Sequence, residues 1–134
     1  MTAHRPKILM VEDDLTLANL YKMRMETEGF EVLHVANGEA ALEAAAKFQP
    51  KLILLDIMMP KLNGFDTLDI LRQTPSTKLA KVIVLTAMSQ PADQKRAMDL
   101  GADEYLVKSQ VVIADVMNAI RRHLDLPAPP EASA

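Results

Sequence analysis

Five short segments rich in Val, Ile and Leu recur along the chain: KILMV (7–11), FEVLHV (30–35), KLILLD (51–56), KVIVLT (81–86) and EYLVK (104–108). The first, third and fourth are almost continuously apolar, the pattern of strands covered on both faces. FEVLHV interleaves Glu31 and His34 and reads as an edge strand. Between these segments lie helical patterns at about 14–28, 38–48, 64–73, 90–100 and 111–124. Strand–helix alternation repeated five times predicts an α/β fold, a doubly wound parallel sheet with helices on both faces. The punctuation agrees. Gly29 and Gly101 fall just after helical stretches, where a left-handed cap is needed, and Pro91 suits the first turn of a helix. NG at 37–38 and PKLNG at 60–64 are loop signals.

Composition narrows the class. The 134 residues fit one domain, expected over 1–126, and PAPPEASA (127–134) has nothing to bury and reads as a disordered tail or the start of a linker. Apolar residues make up 49% and charged residues 25%, the mix of an ordinary folded core. A net charge of -3 leaves no basic footprint for nucleic acid. There is no cysteine for a disulfide framework or a thiolate metal site, which fits the cytoplasm. MTAHRPK lacks the apolar stretch of a signal peptide, and the apolar runs are too short to span a bilayer.

The polar residues of interest sit at the C-terminal ends of the strands. Strand 1 ends in Glu12, Asp13 and Asp14, strand 3 in Asp56, strand 4 in Thr86 and strand 5 in Lys108. Strand 2 ends in Val35 and Ala36 and offers no reactive group. Open α/β sheets bind ligands outside the carboxyl ends of the strands, where the strand order reverses. With the order 2-1-3-4-5 that point lies between strands 1 and 3 and collects the acids and Asp56. Each residue also has a plain structural reading. Asp13 or Asp14 suits a helix cap, Asp56 a turn, Thr86 another cap and Lys108 a solvated strand end. Four such strand ends coinciding at one rim is harder to explain that way.

Two unit charges of like sign 4 Å apart cost about 4 kcal/mol at the effective dielectric near a protein surface. Glu12, Asp13 and Asp56 facing one small space must therefore protonate or share a cation. Hard oxygen donors favour Mg²⁺, which keeps waters free for phosphate oxygens. Asp56 is then a candidate nucleophile toward a phosphoryl group, with Lys108 as a point charge and the Thr86 hydroxyl as a further donor.

The set VEDD, LLDIMMPKLNG, VIVLTA and GADEYLVK resembles the receiver domain of bacterial response regulators, over residues 5–125. That resemblance implies a flavodoxin-like (βα)₅ fold of the chemotaxis type, in a two-component phosphorelay. Asp56 would take a phosphoryl group from a sensor histidine kinase or a histidine phosphotransfer protein. Glu12, Asp13, Asp56 and the backbone carbonyl of Met58 would hold Mg²⁺, and Lys108 and Thr86 would contact the phosphoryl group. On phosphorylation Thr86 would move toward it and Tyr105 turn inward, reshaping helix 4, strand 5 and helix 5. The implied output is contact with a downstream protein or a linked effector domain, as a monomer or a phosphorylation-linked dimer. Catalysis would be limited to the domain's own phosphorylation and dephosphorylation.

Two departures stand out. The family usually places a cis proline after the lysine, but here it is Ser109. A cis bond before serine costs about 2.5–4 kcal/mol, so the loop is either trans or strained. Met58 and Met88 are apolar where related domains often carry polar groups, which predicts slow hydrolysis of the phosphorylated state. The other methionines read as core filler. On helix 1, Leu15 and Met23 fall off the core stripe drawn by Leu17, Leu20, Tyr21 and Met25, either as partner contacts or through a misjudged helix phase. His34 reads as a surface residue rather than a ligand.

Rival chemistries fit less well. A phosphatase of the haloacid-dehalogenase type needs an acid where Met58 stands. A flavodoxin-type cofactor binder needs a hydroxyl-rich loop where the three acids lie, and no GxxxxGK loop is present. The remaining alternative is a receiver-like interaction module that works without phosphorylation.

Overall fold

A computed structural model describes residues 5–127. The tail expected over 127–134 lies, beyond Pro127, outside the described residues. The chain runs β1 (Lys7–Val11), α1 (Leu15–Thr27), β2 (Glu31–Val35), α2 (Gly38–Phe48), β3 (Leu52–Leu55), α3 (Gly64–Gln73), β4 (Lys81–Thr86), α4 (Pro91–Asp99), β5 (Glu104–Val107), a 3₁₀ turn (Lys108–Gln110) and α5 (Ile113–His123). All strand pairs are parallel and the order is β2-β1-β3-β4-β5, as expected, with β2 on an edge. The third and fifth strands end one residue earlier than the apolar pattern suggests. Asp56 and Lys108 therefore stand just past the ladder, where a side chain can turn toward the rim.

Period-two alternation sorts the strands into two cores. Leu9, Val11, Ile53, Leu55, Val82 and Val84 face α2, α3 and α4. Ile8, Met10, Leu52, Leu54, Ile83 and Leu85 face α1 and α5. Each of these strand residues is at most 2% exposed, so the three central strands have no solvent face. Complete burial of a Leu, Ile or Val side chain contributes about 1.5–3 kcal/mol, an upper bound because unfolded chains already bury some surface.

The helix ends follow local chemistry. Asp14, Asn37 and Asn63 cap α1, α2 and α3 by accepting from the backbone N–H of Leu17 (3.1 Å), Ala40 (2.8 Å) and Asp66 (3.0 Å). The two Asn-Gly stretches thus start helices as well as ending loops. Pro91 opens α4, and Gly29 and Gly101 take the left-handed backbone expected after α1 and α4.

One expectation on α1 fails. The inward residues are Ala18, Tyr21 and Met25, and Leu20 is 54% exposed rather than part of the stripe. Positions 18, 21 and 25 share one helical face, and Leu20 sits roughly 200° from Ala18 at 100° per residue. The small Ala18 lets the helix lie close to the sheet. Leu15 and Met23 are exposed as expected, and Leu20 joins them on the solvent side.

Two polar ties lock elements distant in sequence. The Arg72 guanidinium on α3 donates to the carbonyls of Gly101 (2.9 Å), Lys78 (3.0 Å) and Ala80 (2.6 Å) and to Asp103 (2.9 Å). Asp103 also accepts from the Val82 N–H at 2.8 Å. Arg121 on α5 donates to the Glu28 side chain (3.1 Å) and to its carbonyl (3.2 Å), fastening the end of α1.

Candidate functional site

At the end of β1, the Glu12 N–H donates to the Val35 carbonyl at 3.0 Å, which carries the ladder one residue further. The Glu12 side chain is 2% exposed, with Oε2 accepting from the Asp14 N–H at 3.1 Å. Asp14 is spent on capping α1, and Asp13, between them, is exposed. One strand over, the Asp56 N–H donates to the Val11 carbonyl at 3.1 Å. Asp56 Oδ1 accepts from the Met58 N–H at 3.0 Å, which turns the carboxylate back over its own loop.

Close packing under this loop depends on Gly64, the first residue of α3. A Cβ there would collide with the Ile57 Cα and come within 2.7 Å of the Asp56 carbonyl oxygen. Only glycine lets α3 start this near the end of β3.

Lys108, just past β5, reaches Asp56 and Glu12 from two and three strands away. Its Nζ lies 2.8 Å from Glu12 Oε1 and 2.9 Å from Asp56 Oδ2. No cis peptide bond occurs among the described residues, so Ser109 follows Lys108 through a trans bond and a 3₁₀ turn. The lysine keeps its place without a proline behind it. The repulsion among the acids, expected to need a divalent ion, is met between two of the three by a bridging ammonium.

Burial pulls the Lys108 ammonium down, but hydrogen bonds and charge from Glu12 and Asp56 outweigh it and hold its pKa above the ordinary lysine value. Burial raises the Glu12 carboxyl above its usual range, with Asp56 adding to the rise against the opposing pull of Lys108 and the Asp14 N–H. Lys108 thus stays charged between two buried carboxyl groups, and for Glu12 burial works against the charged form.

Ligand oxygens of Glu12, Asp13 and Asp56 all lie within 4.8 Å of one another. Three hard oxygen donors, one of them exposed and open to solvent, suit a divalent cation that retains waters.

Thr86 ends β4 fully buried, and its Oγ1 accepts from the Met88 N–H at 3.3 Å. The Met88 carbonyl accepts from the Tyr105 hydroxyl at 2.7 Å. Tyr105 is 8% exposed and points inward, the position expected only after phosphorylation. Burial raises its phenol pKa, helped by the charges of Asp93 and Asp56. Thr86 and Tyr105 are thus joined through one peptide segment, a link that spacing alone does not display. Met58 is exposed and Met88 half-buried; with Ile57, Met59, Asn63 and Phe65 they line an apolar hollow of about 460 Å³ beside Asp56.

Strand 2 is less inert than its sequence suggests. His34 is half-buried, and its Nε2 lies 2.6 Å from the Glu12 carbonyl oxygen. Its interruption of an apolar strand was the visible signal, read instead as the mark of an edge.

A family model described as the response regulator receiver domain matches residues 8–121. The chain belongs to the response regulator receiver domain family. The transcriptional regulatory protein CpxR of Escherichia coli is 44% identical to this receiver over 119 residues, covering 87% of this chain and 50% of CpxR. The DNA-binding response regulator MtrA of Mycobacterium tuberculosis is 34% identical over 131 residues, covering 96% of this chain and 56% of MtrA. The chain spans about half the length of these curated relatives.

The BeF3-activated N-terminal receiver domain of Klebsiella pneumoniae RstA superposes with a TM-score of 0.82 at 28% identity, over 88% of this chain and 97% of that one. The receiver domain of a signal transduction histidine kinase from Syntrophus aciditrophicus gives 0.82 at 32% identity, over 90% of each chain. This receiver is a signalling switch of the two-component type, with the flavodoxin-like topology of its family. No helix among the described residues is long and apolar enough to cross a membrane.

Proposed function

We propose that Asp56 is the phosphoryl acceptor of this receiver, and that residues 1–126 make up its receiver domain. The observation that carries this is the environment of its carboxylate. The group is buried, with Lys108 Nζ on one oxygen and the Met58 N–H on the other, beside Glu12 and Asp13. A carboxylate oxygen attacks the phosphorus of a phosphohistidine on a sensor kinase or histidine phosphotransfer protein. The O–P bond forms, the P–N bond breaks, and its electron pair returns to the imidazole, which takes up a proton. Hydrolysis later replaces the aspartyl oxygen on phosphorus with water, restoring the carboxylate and releasing inorganic phosphate. These two steps on its own side chain are the only catalysis assigned to the domain.

Phosphoryl transfer asks mainly for positioning and charge neutralisation. Glu12, Asp13, Asp56 and the Met58 backbone carbonyl would hold Mg²⁺, which when bound neutralises phosphoryl oxygens beside the carboxylates. Lys108, already placed against Asp56, neutralises further charge. The Thr86 Oγ1 accepts from Met88, so its own proton is free for a phosphoryl oxygen. Movement of Thr86 then pulls on the Met88 peptide and on the Tyr105 hydroxyl bound to it. Because Tyr105 already points inward, phosphorylation would fasten this arrangement and set the face of α4, β5 and α5 that a downstream protein or a linked effector domain reads. The exposed Leu15, Leu20 and Met23 of α1 suit docking of the phosphodonor. A cytoplasmic setting suits this reading.

Incubation with Mg²⁺ and acetyl phosphate tests the reading. Intact mass should rise by one phosphoryl group, and Asp56→Asn should abolish the gain. No gain in the parent protein would leave an interaction module that works without phosphorylation.

A further inference from the structure

In a parallel ladder each residue donates its N–H and accepts at its C=O on either side of its opposite number. Glu12 begins that pattern, with its N–H on the Val35 carbonyl at 3.0 Å. The next backbone donor in the pattern would be Asn37, but the chain has left the sheet there to cap α2. The Glu12 carbonyl is met instead by a side chain, His34 Nε2 at 2.6 Å. A carbonyl oxygen can only accept, so Nε2 must carry the proton, which assigns the donor nitrogen of the ring.

With that bond, every polar group of Glu12 is held. Val35 takes the N–H, His34 the C=O, Lys108 one carboxylate oxygen and the Asp14 N–H the other. The peptide unit is planar, so the Glu12 C=O and the Asp13 N–H turn as one body. Whatever fixes the carbonyl also fixes the direction from which the Asp13 Cα departs. Asp13 is exposed and is the acid of the cluster with least packing to orient it, yet its oxygen sits within 4.8 Å of those of Glu12 and Asp56.

We propose that His34 is a positioning residue for the acidic site: its Nε2–H holds the Glu12–Asp13 peptide plane and so aims Asp13 at the place where the three carboxylates meet. The strand that contributes no ligand of its own thus supports the loop that contributes two. This inference rests on the divalent-cation reading of that cluster. Partners that orient metal ligands matter nearly as much as the ligands, and their loss commonly costs ten-fold or more in affinity.

The test compares the parent protein with His34→Phe, which keeps a planar ring without a donor, and His34→Gln, whose amide nitrogen can donate again. Mg²⁺ affinity is read by calorimetric titration, the Asp13 backbone amide by NMR, and global stability by the urea midpoint. Expected are a weakening of about ten-fold in Mg²⁺ affinity for His34→Phe, a shifted Asp13 amide, and recovery of most of both in His34→Gln. Unchanged affinity in His34→Phe, or a His34→Gln no better than His34→Phe, would overturn the proposal. So would a loss of affinity accounted for by a matching fall in the urea midpoint. If the parent protein binds no Mg²⁺, the cation reading fails by itself. The Asp13 amide then decides the hydrogen bond, and its failure to move in His34→Phe overturns the clamp.

Discussion

Replacing Lys108 by methionine removes the ammonium and keeps most of the stem. In the parent protein Nζ stands 2.8 Å from Glu12 and 2.9 Å from Asp56, with the two carboxylates 2% and 5% exposed and the lysine 25%. Each attraction amounts to about 6 kcal/mol before desolvation at an effective dielectric of roughly 20. Much of that is cancelled by the cost of removing the charges from water, and breaking one side of a buried pair costs about 3–5 kcal/mol. For a domain of this size such a loss lowers the melting temperature by about 10–20 °C.

The variant can recover part of the loss by protonating a carboxyl group, which gives the prediction a sign. Glu12 is already raised above its ordinary value with the lysine present, and without it the rise grows. A folded state with a raised carboxyl pKa binds a proton that the unfolded chain has released. Its stability is full below the unfolded value, near 4.5, and is lost as pH climbs through the folded value. Lys108→Met should therefore be most damaging at pH 8 and least at pH 5. Glu12→Gln added to it should restore most of the loss. Urea denaturation in EDTA across that range is the assay. A variant within about 1 kcal/mol of the parent at pH 8, or one whose deficit is independent of pH, would refute the assigned charge balance.

Three further outcomes are expected. Changing Met58 and Met88 together to Asn and Glu should shorten the half-life of phosphorylated protein several-fold by opening the apolar hollow beside Asp56 to an ordered water; phosphate release after acetyl phosphate removal measures it, and an unchanged half-life refutes the idea. Leu20→Asp with Met23→Asp should slow phosphotransfer from a kinase while leaving labelling by acetyl phosphate intact, since both residues are exposed on α1 and neither belongs to the acidic cluster; equal slowing of both reactions would mean damage to the site instead. Arg72→Ala removes donors to three carbonyls and to Asp103 and should cost about 2–4 kcal/mol in urea unfolding. A cost under about 1 kcal/mol would show the tie to be replaced by water.

The alternation of apolar runs with helical patterns was enough to specify a parallel sheet, its two-faced cover and the edge position of β2, because those patterns report directly on burial; the strand order came with the family resemblance, since burial does not say which strand neighbours which. Glu12, Asp13, Asp56, Thr86 and Lys108 were legible for a similar reason: each follows an apolar strand, and parallel strands deliver their ends to one rim. Asp14 was readable as a cap from its place before α1. Leu20 was misread because size does not tell which face of a helix is turned inward; the buried face is the one that carries the small Ala18 with Tyr21 and Met25.

Other features exist only once the chain has folded. Lys108 bridging two acids, Met88 joining Thr86 to Tyr105, and His34 standing in for an absent backbone donor are contacts between elements brought together by sheet order. A linear pattern reports which side a residue faces. The partner it meets there depends on the distances and directions that packing imposes.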